Sequence, residues 1–203
     1  MYIILALIVA YLVGSIPTGY IFGKLLKGID IRKHGSGNVG ATNVFRVVGK
    51  TPGVIVLILD FLKGLVAVTL IPMALEKVFP QSVENASIIT ILLGSAAIAG
   101  HLWTCFLKFK GGKGVATTGG VMAGLAPGIL LACFGVWIIV FVLSKYVSLA
   151  SMTAALALPV FALISGREVG FIVFCGVLCM VGIYSHRENI KRLIQGTEKK
   201  IVK

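Results

Sequence analysis

An all-α integral membrane protein, a polytopic bundle of about seven transmembrane or partly spanning helices, is the fold class this sequence predicts. Three observations predict it. The 203 residues are 58% hydrophobic and only 13% charged, about half the charged share of an ordinary soluble domain, and the mean hydropathy is +1.02. Apolar segments long enough for a ~30 Å hydrocarbon core recur from end to end. These segments are apolar all round, not alternating, which argues against a membrane β-barrel. No polar linker divides them, so one membrane-embedded domain over residues 1–203 is expected.

Ile3–Phe22 supplies the first span, with Gly14, Pro17 and Gly19 loosening its second half, which membrane helices tolerate when neighbours satisfy the freed backbone. No basic n-region precedes it, so no cleavable signal peptide is expected. A loop carrying Lys24, Lys27, Arg32, Lys33, Arg46 and Lys50 follows. Pro52 then opens a helix to about Leu75 that holds Asp60 and Lys63. Lys63 lies roughly 16 Å along that helix, too deep for an interfacial lysine. After a turn over Glu76–Asn85, a third span, Ala86–Leu107, brings His101 about 10 Å from its far end, where it can meet Asp60.

The chain continues through Lys108-Phe-Lys-Gly-Gly-Lys-Gly114. If Gly114–Leu143 were one kinked span, the six basic residues of the C-terminal tail would lie outside. A hairpin with its tip at Pro127 returns Lys145 to the cytoplasm. Ser151–Ile164 then leads out to a turn at Gly166–Glu168, and Val169–Tyr184 leads back. Sixteen of the nineteen basic residues then face the cytoplasm, with the N-terminus outside.

Nineteen Lys and Arg against seven Asp and Glu give a net charge of +12. In a membrane protein this reflects basic cytoplasmic loops and does not imply nucleic acid. Cys105, Cys133, Cys175 and Cys179 lack metal-type spacing and read as reduced packing residues. The three histidines and few carboxylates form no spaced ligand set, so neither metal nor cofactor is expected.

The residues that stand out cluster at the cytoplasmic face. His34–Arg46 combines glycines, hydroxyls and amides with a histidine and an arginine; Gly111-Gly-Lys-Gly114 repeats the theme. Phosphate binding needs approachable backbone N–H groups, short polar donors and fixed positive charge, and both loops meet that description. The bland alternative is a pair of tight, positively charged interfacial turns. Gly35-Ser-Gly-Asn-Val-Gly40 formally fits GxGxxG but follows charged residues, not a buried strand. The lysine loop lacks the spacing and the Ser/Thr of a P-loop, and no serine stands in GxSxG. Asp60 and Lys63 share a helix face and can form a structural ion pair; His101 can be a core histidine bonded to a carbonyl. His186, beside Arg187 and Asn189 where a helix meets the cytoplasm, fits substrate contact.

Gly35–Asn43 with Arg46, Asp60-Phe-Leu-Lys-Gly64, Gly100-His101, Lys110–Thr117 and His186-Arg-Glu-Asn-Ile190 together resemble the bacterial acyl-phosphate:glycerol-3-phosphate acyltransferase (PlsY) family. The resemblance covers nearly the whole chain and shows no departure at the motif positions. It implies an inner-membrane enzyme that moves a fatty acyl group from acyl phosphate to the 1-position of sn-glycerol 3-phosphate, in phospholipid biosynthesis. By motif match, Ser36, Gly37, Asn38, Gly40, Thr42, Gly112, Lys113 and Gly114 would hold the acyl phosphate. Asn43, Arg46, Lys113, Ser151, His186 and Asn189 would hold glycerol 3-phosphate. Lys113, His186 and Ser36 would be catalytic, while Asp60, Lys63 and His101 would be structural or stand behind the contacting residues. An enzyme that makes acyl phosphate is an implied partner.

The His-x4-Asp dyad of other acyltransferases is absent, because Val39, Phe106 and Lys191 stand five residues after the three histidines. Acyl phosphate is a mixed anhydride with a good leaving group, so direct attack without an acyl-enzyme is expected. The proton acceptor stays open between His186 and a substrate phosphate oxygen. The competing reading is a transporter or flippase for phosphate-bearing molecules, which would place charges along a path through the membrane.

Overall fold

The computed structural model describes residues 2–79 and 86–201, and within them the apolar segments are helical, with no strand. The expected turn over Glu76–Asn85 lies partly outside the described residues, as does Lys203. The chain divides into two compact units, Met1–Leu125 and Ala126–Lys203.

In the first unit, α1 (Tyr2–Ser15) and α2 (Thr18–Lys27) form one apolar stretch. The first span is therefore broken, and it ends at Lys27 instead of Phe22. Pro17 causes the break: it has no N–H and disfavours helical geometry at Ile16. The Thr104 hydroxyl donates to the Ser15 carbonyl at 2.5 Å, and the Lys63 ammonium donates to the Ile16 carbonyl at 3.2 Å. These bonds replace the lost helical ones, which is what permits a break at membrane depth.

A 3₁₀ turn (Ile31–Lys33) and the short α3 (Ala41–Val47) shape the next loop. The helix expected from Pro52 to about Leu75 is instead two, α4 (Lys50–Val68) and α5 (Leu70–Val78). The Pro72 ring excludes a normal bond to the carbonyl four residues back, at Val68. At the break itself, the Thr69 hydroxyl donates to the Leu65 carbonyl at 2.8 Å. α6 (Ala86–Leu102) ends in a 3₁₀ turn, Cys105–Leu107, and α7 (Val115–Leu125) closes the unit.

Lipid is as apolar as leucine, so helices in a bilayer associate through close packing at small residues. Ala6 and Ala10 of α1 pack with Leu93 and Ala97 of α6 in one buried cluster. A Cβ on Gly14 would run into the Ala97 backbone. Between α4 and α7 the notches are reciprocal: a Cβ on Gly64 would meet the Thr117 carbonyl, and one on Gly120 the Phe61 carbonyl.

The second unit holds α8 (Pro127–Ser144), α9 (Val147–Ile164), α10 (Val169–Ser185) and α11 (Arg187–Ile194). Pro127 occupies the first position of α8, where its missing N–H costs nothing. α9 begins four residues before the expected Ser151, because left-handed Lys145 and extended Tyr146 turn the chain at once. Ser148 and Ser151 are thus helix residues, one turn apart. α10 and α11 meet at His186 with a bend of 55°.

Among the described residues, five stretches are long and apolar enough to span, six if the bent pair counts as one, and α7 is a shorter apolar helix. That agrees with about seven spanning or partly spanning elements. Leu131, Leu143, Leu163 and Val169 are strongly exposed, as lipid-facing residues are. The four cysteines are free thiols, three of them buried.

Candidate functional site

The opening loop is organised around Asn43. This side chain is 2% exposed, and both ends of its amide are engaged. Its Oδ1 accepts the Ser36 N–H at 2.8 Å, and its Nδ2 donates to the carbonyls of His34 at 3.0 Å and Asn38 at 2.8 Å, with a longer contact to Ile31. A buried polar group so satisfied is costly to disturb. Gly35, at φ 63°, lies against the Asn43 amide oxygen and leaves no room for a side chain. Asn43 is therefore the interior of the loop, whereas the motif match made it a contact to glycerol 3-phosphate.

Some expected anion donors are also engaged within the loop. The Gly37 N–H donates to the His34 carbonyl at 3.0 Å, and the Gly40 N–H to Asn38 Oδ1 at 2.8 Å. Ser36 is exposed, and Asn38, Thr42 and Arg46 are half-buried. Thr42 and Arg46, four apart on α3, share one helix face. At the edge of the loop, Arg32 donates to both oxygens of Asp30, with Nη2 at 2.7 Å, and its guanidinium lies over the Tyr20 ring. The hydrogen bond from Arg32 holds the Asp30 carboxyl down at about 2.

The lysine loop folds back onto the end of α6. The Gly111 N–H donates to the Leu102 carbonyl at 2.9 Å and the Gly112 N–H to the His101 carbonyl at 3.0 Å. Gly112 also abuts the His101 imidazole, where a Cβ would collide with Nε2. Gly114, at φ 80°, turns the chain into α7. Lys113, between these two glycines, is half-buried.

Beneath both loops lies a buried polar cluster. Asp60 Oδ1 accepts from the Thr18 hydroxyl at 2.6 Å, pairs with Lys63 Nζ at 2.8 Å and faces His101 Nδ1 at 3.7 Å. Asp60 and His101 do meet at one depth. With Gly19, Val39 and Thr104 these residues line a cavity of about 10 Å³, roughly the size for a single water. Val39 belongs to the opening loop and His101 supports the lysine loop, so one cluster underlies both.

In the second unit, His186 is 3% exposed, and its Nδ1 lies 2.8 Å from the Gly182 carbonyl. A carbonyl only accepts, so in the neutral ring Nδ1 carries the hydrogen and Nε2 is the basic nitrogen. Ser151, also buried, accepts from Trp137 Nε1 at 3.2 Å, and the indole stacks on Phe141. Asn189, 5% exposed, donates through Nδ2 to Glu198 Oε1 at 2.6 Å. The same oxygen accepts from the Ser148 hydroxyl at 2.7 Å, and Oε2 accepts from Arg192 Nε at 2.6 Å. Burial pushes the Glu198 carboxyl up, but bonds from Arg192, Ser148 and Asn189 outweigh it and hold the group below its usual range.

Trp137 and Glu198 were missed by motif reading. Trp137, one of two tryptophans in the chain, was legible only as an aromatic within a span. Glu198 carried a faint signal, as an acid in a tail of basic residues. Among the described residues no group of three or more His, Cys, Asp or Glu could hold a metal ion.

The sequence model for glycerol-3-phosphate acyltransferase matches residues 4–196. A glycerol-3-phosphate acyltransferase of Desulforamulus reducens is 44% identical over 198 residues, which is 98% of this chain and 94% of that protein. Glycerol-3-phosphate acyltransferase 2 of Moorella thermoacetica is 46% identical, covering 98% and 97%. The crystal structure of PlsY (YgiH), an integral membrane glycerol 3-phosphate acyltransferase, matches in its glycerol 3-phosphate form with a TM-score of 0.87 and 41% identity, over 98% of this chain and 96% of that one. Its lysophosphatidic acid form matches with a TM-score of 0.84 and 40% identity, over 98% and 95%. With a match along nearly its whole length and an integral membrane fold in common with PlsY, this chain belongs to the glycerol-3-phosphate acyltransferase family.

Proposed function

We propose that this protein transfers a fatty acyl group from acyl phosphate to the 1-position of sn-glycerol 3-phosphate, releasing lysophosphatidic acid and phosphate. The observation that carries the reading is the full-length likeness to an acyltransferase solved in forms with glycerol 3-phosphate and lysophosphatidic acid, the acceptor and product of this reaction. The acyl-phosphate donor is supported by the motifs, by the absence of a His-x4-Asp dyad and by two basic, glycine-rich loops suited to phosphate. The enzyme works at the cytoplasmic face of a bacterial inner membrane with its N-terminus outside, as the distribution of basic residues supports.

In the first unit, Ser36, Asn38 and Thr42 offer side-chain donors to the acyl phosphate, and Arg46 makes a charge-assisted contact to glycerol phosphate. Lys113 neutralises the phosphates and the charge that develops on the carbonyl oxygen. Because the amides of Gly37, Gly40 and Gly112 hold the loops together, their glycines contribute shape; Asn43 positions and does not bind. In the second unit, Ser151 and Asn189 contact glycerol phosphate. His186 Nε2 takes the proton of the attacking hydroxyl, the role its Nδ1–Gly182 bond favours. The glycerol oxygen forms the new ester bond, the bond from acyl carbon to phosphate oxygen breaks, and phosphate leaves without an acyl-enzyme.

The test gives purified protein in detergent glycerol 3-phosphate with acyl phosphate or, in parallel, with acyl-CoA, and follows lysophosphatidic acid together with release of each donor's leaving group, phosphate from the first and coenzyme A thiol from the second. Release with acyl phosphate alone among the donors supports the reading. No release with either donor would sink it and favour a transporter.

A further inference from the structure

We infer that Glu198 is a positioning residue for glycerol 3-phosphate recognition, acting through Asn189. The inference rests on the function proposed above and extends it to the C-terminal tail.

The tail returns to the second unit after α11. The Thr197 and Glu198 N–H groups donate to the Arg192 carbonyl at 2.8 and 3.1 Å, which reverses the chain. Lys200 then lies over the Tyr146 ring, and the Ile201 N–H reaches the Lys145 carbonyl. The fold-back places a carboxylate that is 5% exposed among three donors from two helices: Ser148 of α9, and Asn189 and Arg192 of α11. Short bonds to an ionised acceptor are the strong ones, and they restrict the groups that donate them.

The consequence falls on Asn189. An asparagine amide can present either its oxygen or its nitrogen, and rotation about its last bond exchanges them. A carboxylate only accepts, so Glu198 fixes which end of Asn189 is the nitrogen and holds the plane of the amide. Ser148, tied to the same oxygen, lies one turn before Ser151 on α9, and Asn189 lies three residues after His186. The latch thus ties together the two helix segments that carry the second unit's candidate contacts. Arg192 neutralises the carboxylate, so the buried acid carries no uncompensated charge beside an anionic substrate.

The test measures Glu198→Ala, Asn189→Ala and the double variant in the acyl phosphate and glycerol 3-phosphate assay, each with a melting curve. Glu198→Ala should raise KM for glycerol 3-phosphate about tenfold, the effect of one charge-assisted hydrogen bond. KM for acyl phosphate should stay within about twofold, because the three donors to the carboxylate, Ser148, Asn189 and Arg192, are not among the residues assigned to that substrate. In the Asn189→Ala background the same substitution should add little, because the two act as one unit. Glu198→Gln keeps an acceptor for Asn189 but loses that for Arg192, so it should fall between wild type and alanine.

Equal effects on both KM values, additive effects in the double variant, or an unchanged KM would overturn the inference. So would a lowered KM, which would mark the tail as an obstruction. If the wild type turns over and these patterns fail, only the role of Glu198 falls. If the wild type does not turn over, the proposed function falls and takes this inference with it.

Discussion

Replacing Lys63 by Met tests whether the polar cluster beneath the two loops holds the first unit together. Lys63 and Asp60 side chains are 6% and 3% exposed, with Nζ 2.8 Å from Oδ1. Methionine matches the lysine stem in length but removes two bonds, one to Asp60 and one to the Ile16 carbonyl at the break before Pro17. Asp60 then keeps only the Thr18 hydroxyl and the more distant His101. Removing one partner of a buried pair typically costs about 3–5 kcal/mol. For a chain of this size that corresponds to a Tm lowered by roughly 6–20 °C. The double variant Asp60→Asn with Lys63→Met removes both charges and should recover part of the loss, since a neutral pair avoids the stranded carboxylate. Thermal unfolding in detergent, followed by tryptophan fluorescence, reads all three proteins. A Lys63→Met protein that melts with wild type, or a double variant no more stable than Lys63→Met, would refute the assignment.

Three further outcomes follow from the geometry. Gly112→Ala drives a Cβ into the His101 ring and should displace Lys113; kcat is expected to fall about 10²-fold, as when an enzyme's reacting groups are misplaced by an ångström, with a melting curve still showing a folded protein. Asn43→Ala strips the loop of its interior bonds and should lower stability by about 2–4 kcal/mol if those bonds contribute near 1 kcal/mol each, with protease cleavage between Ile31 and Val48 as the readout. Glu198 is held below its ordinary value of 4.5, so its stabilisation is complete above that pH and is lost as pH falls through the lower folded value. The Tm advantage of wild type over Glu198→Gln should be constant near neutrality and shrink below pH 4.5; an advantage that grew on acidification would contradict the latch.

Much of this arrangement was legible in the sequence because its causes are local. Span length, the placement of basic residues and the depth of Asp60, Lys63 and His101 follow from rise per residue and composition, and the cluster forms where those depths coincide. Pro17 announced a weak point, and the structure supplies the Thr104 and Lys63 side chains that make it tolerable. Pro72 carried the same information about the break at Thr69, but the apolar run around it masked the signal.

What stayed hidden depends on contacts between distant segments. Asn43 stands in a polar, glycine-rich loop, where a residue that binds a ligand and one that binds the loop have the same appearance. Only its burial separates them. Glu198 reaches Ser148 across fifty positions, and no periodicity encodes such a pairing. The sequence places the start of α9 at Ser151, four residues late, because the helix begins immediately after Tyr146 without a side-chain cap to mark it.

The most direct test of the central claim is phosphate release from acyl phosphate in the presence of glycerol 3-phosphate, compared between wild type and Lys113→Ala. A melting curve for each protein checks that both are folded before their activities are compared. Wild type should release one phosphate for each lysophosphatidic acid formed. The variant should fall by about 10²–10³-fold or more, the loss seen when a group that stabilises developing charge is removed. Undiminished release by a folded Lys113→Ala protein would contradict the account.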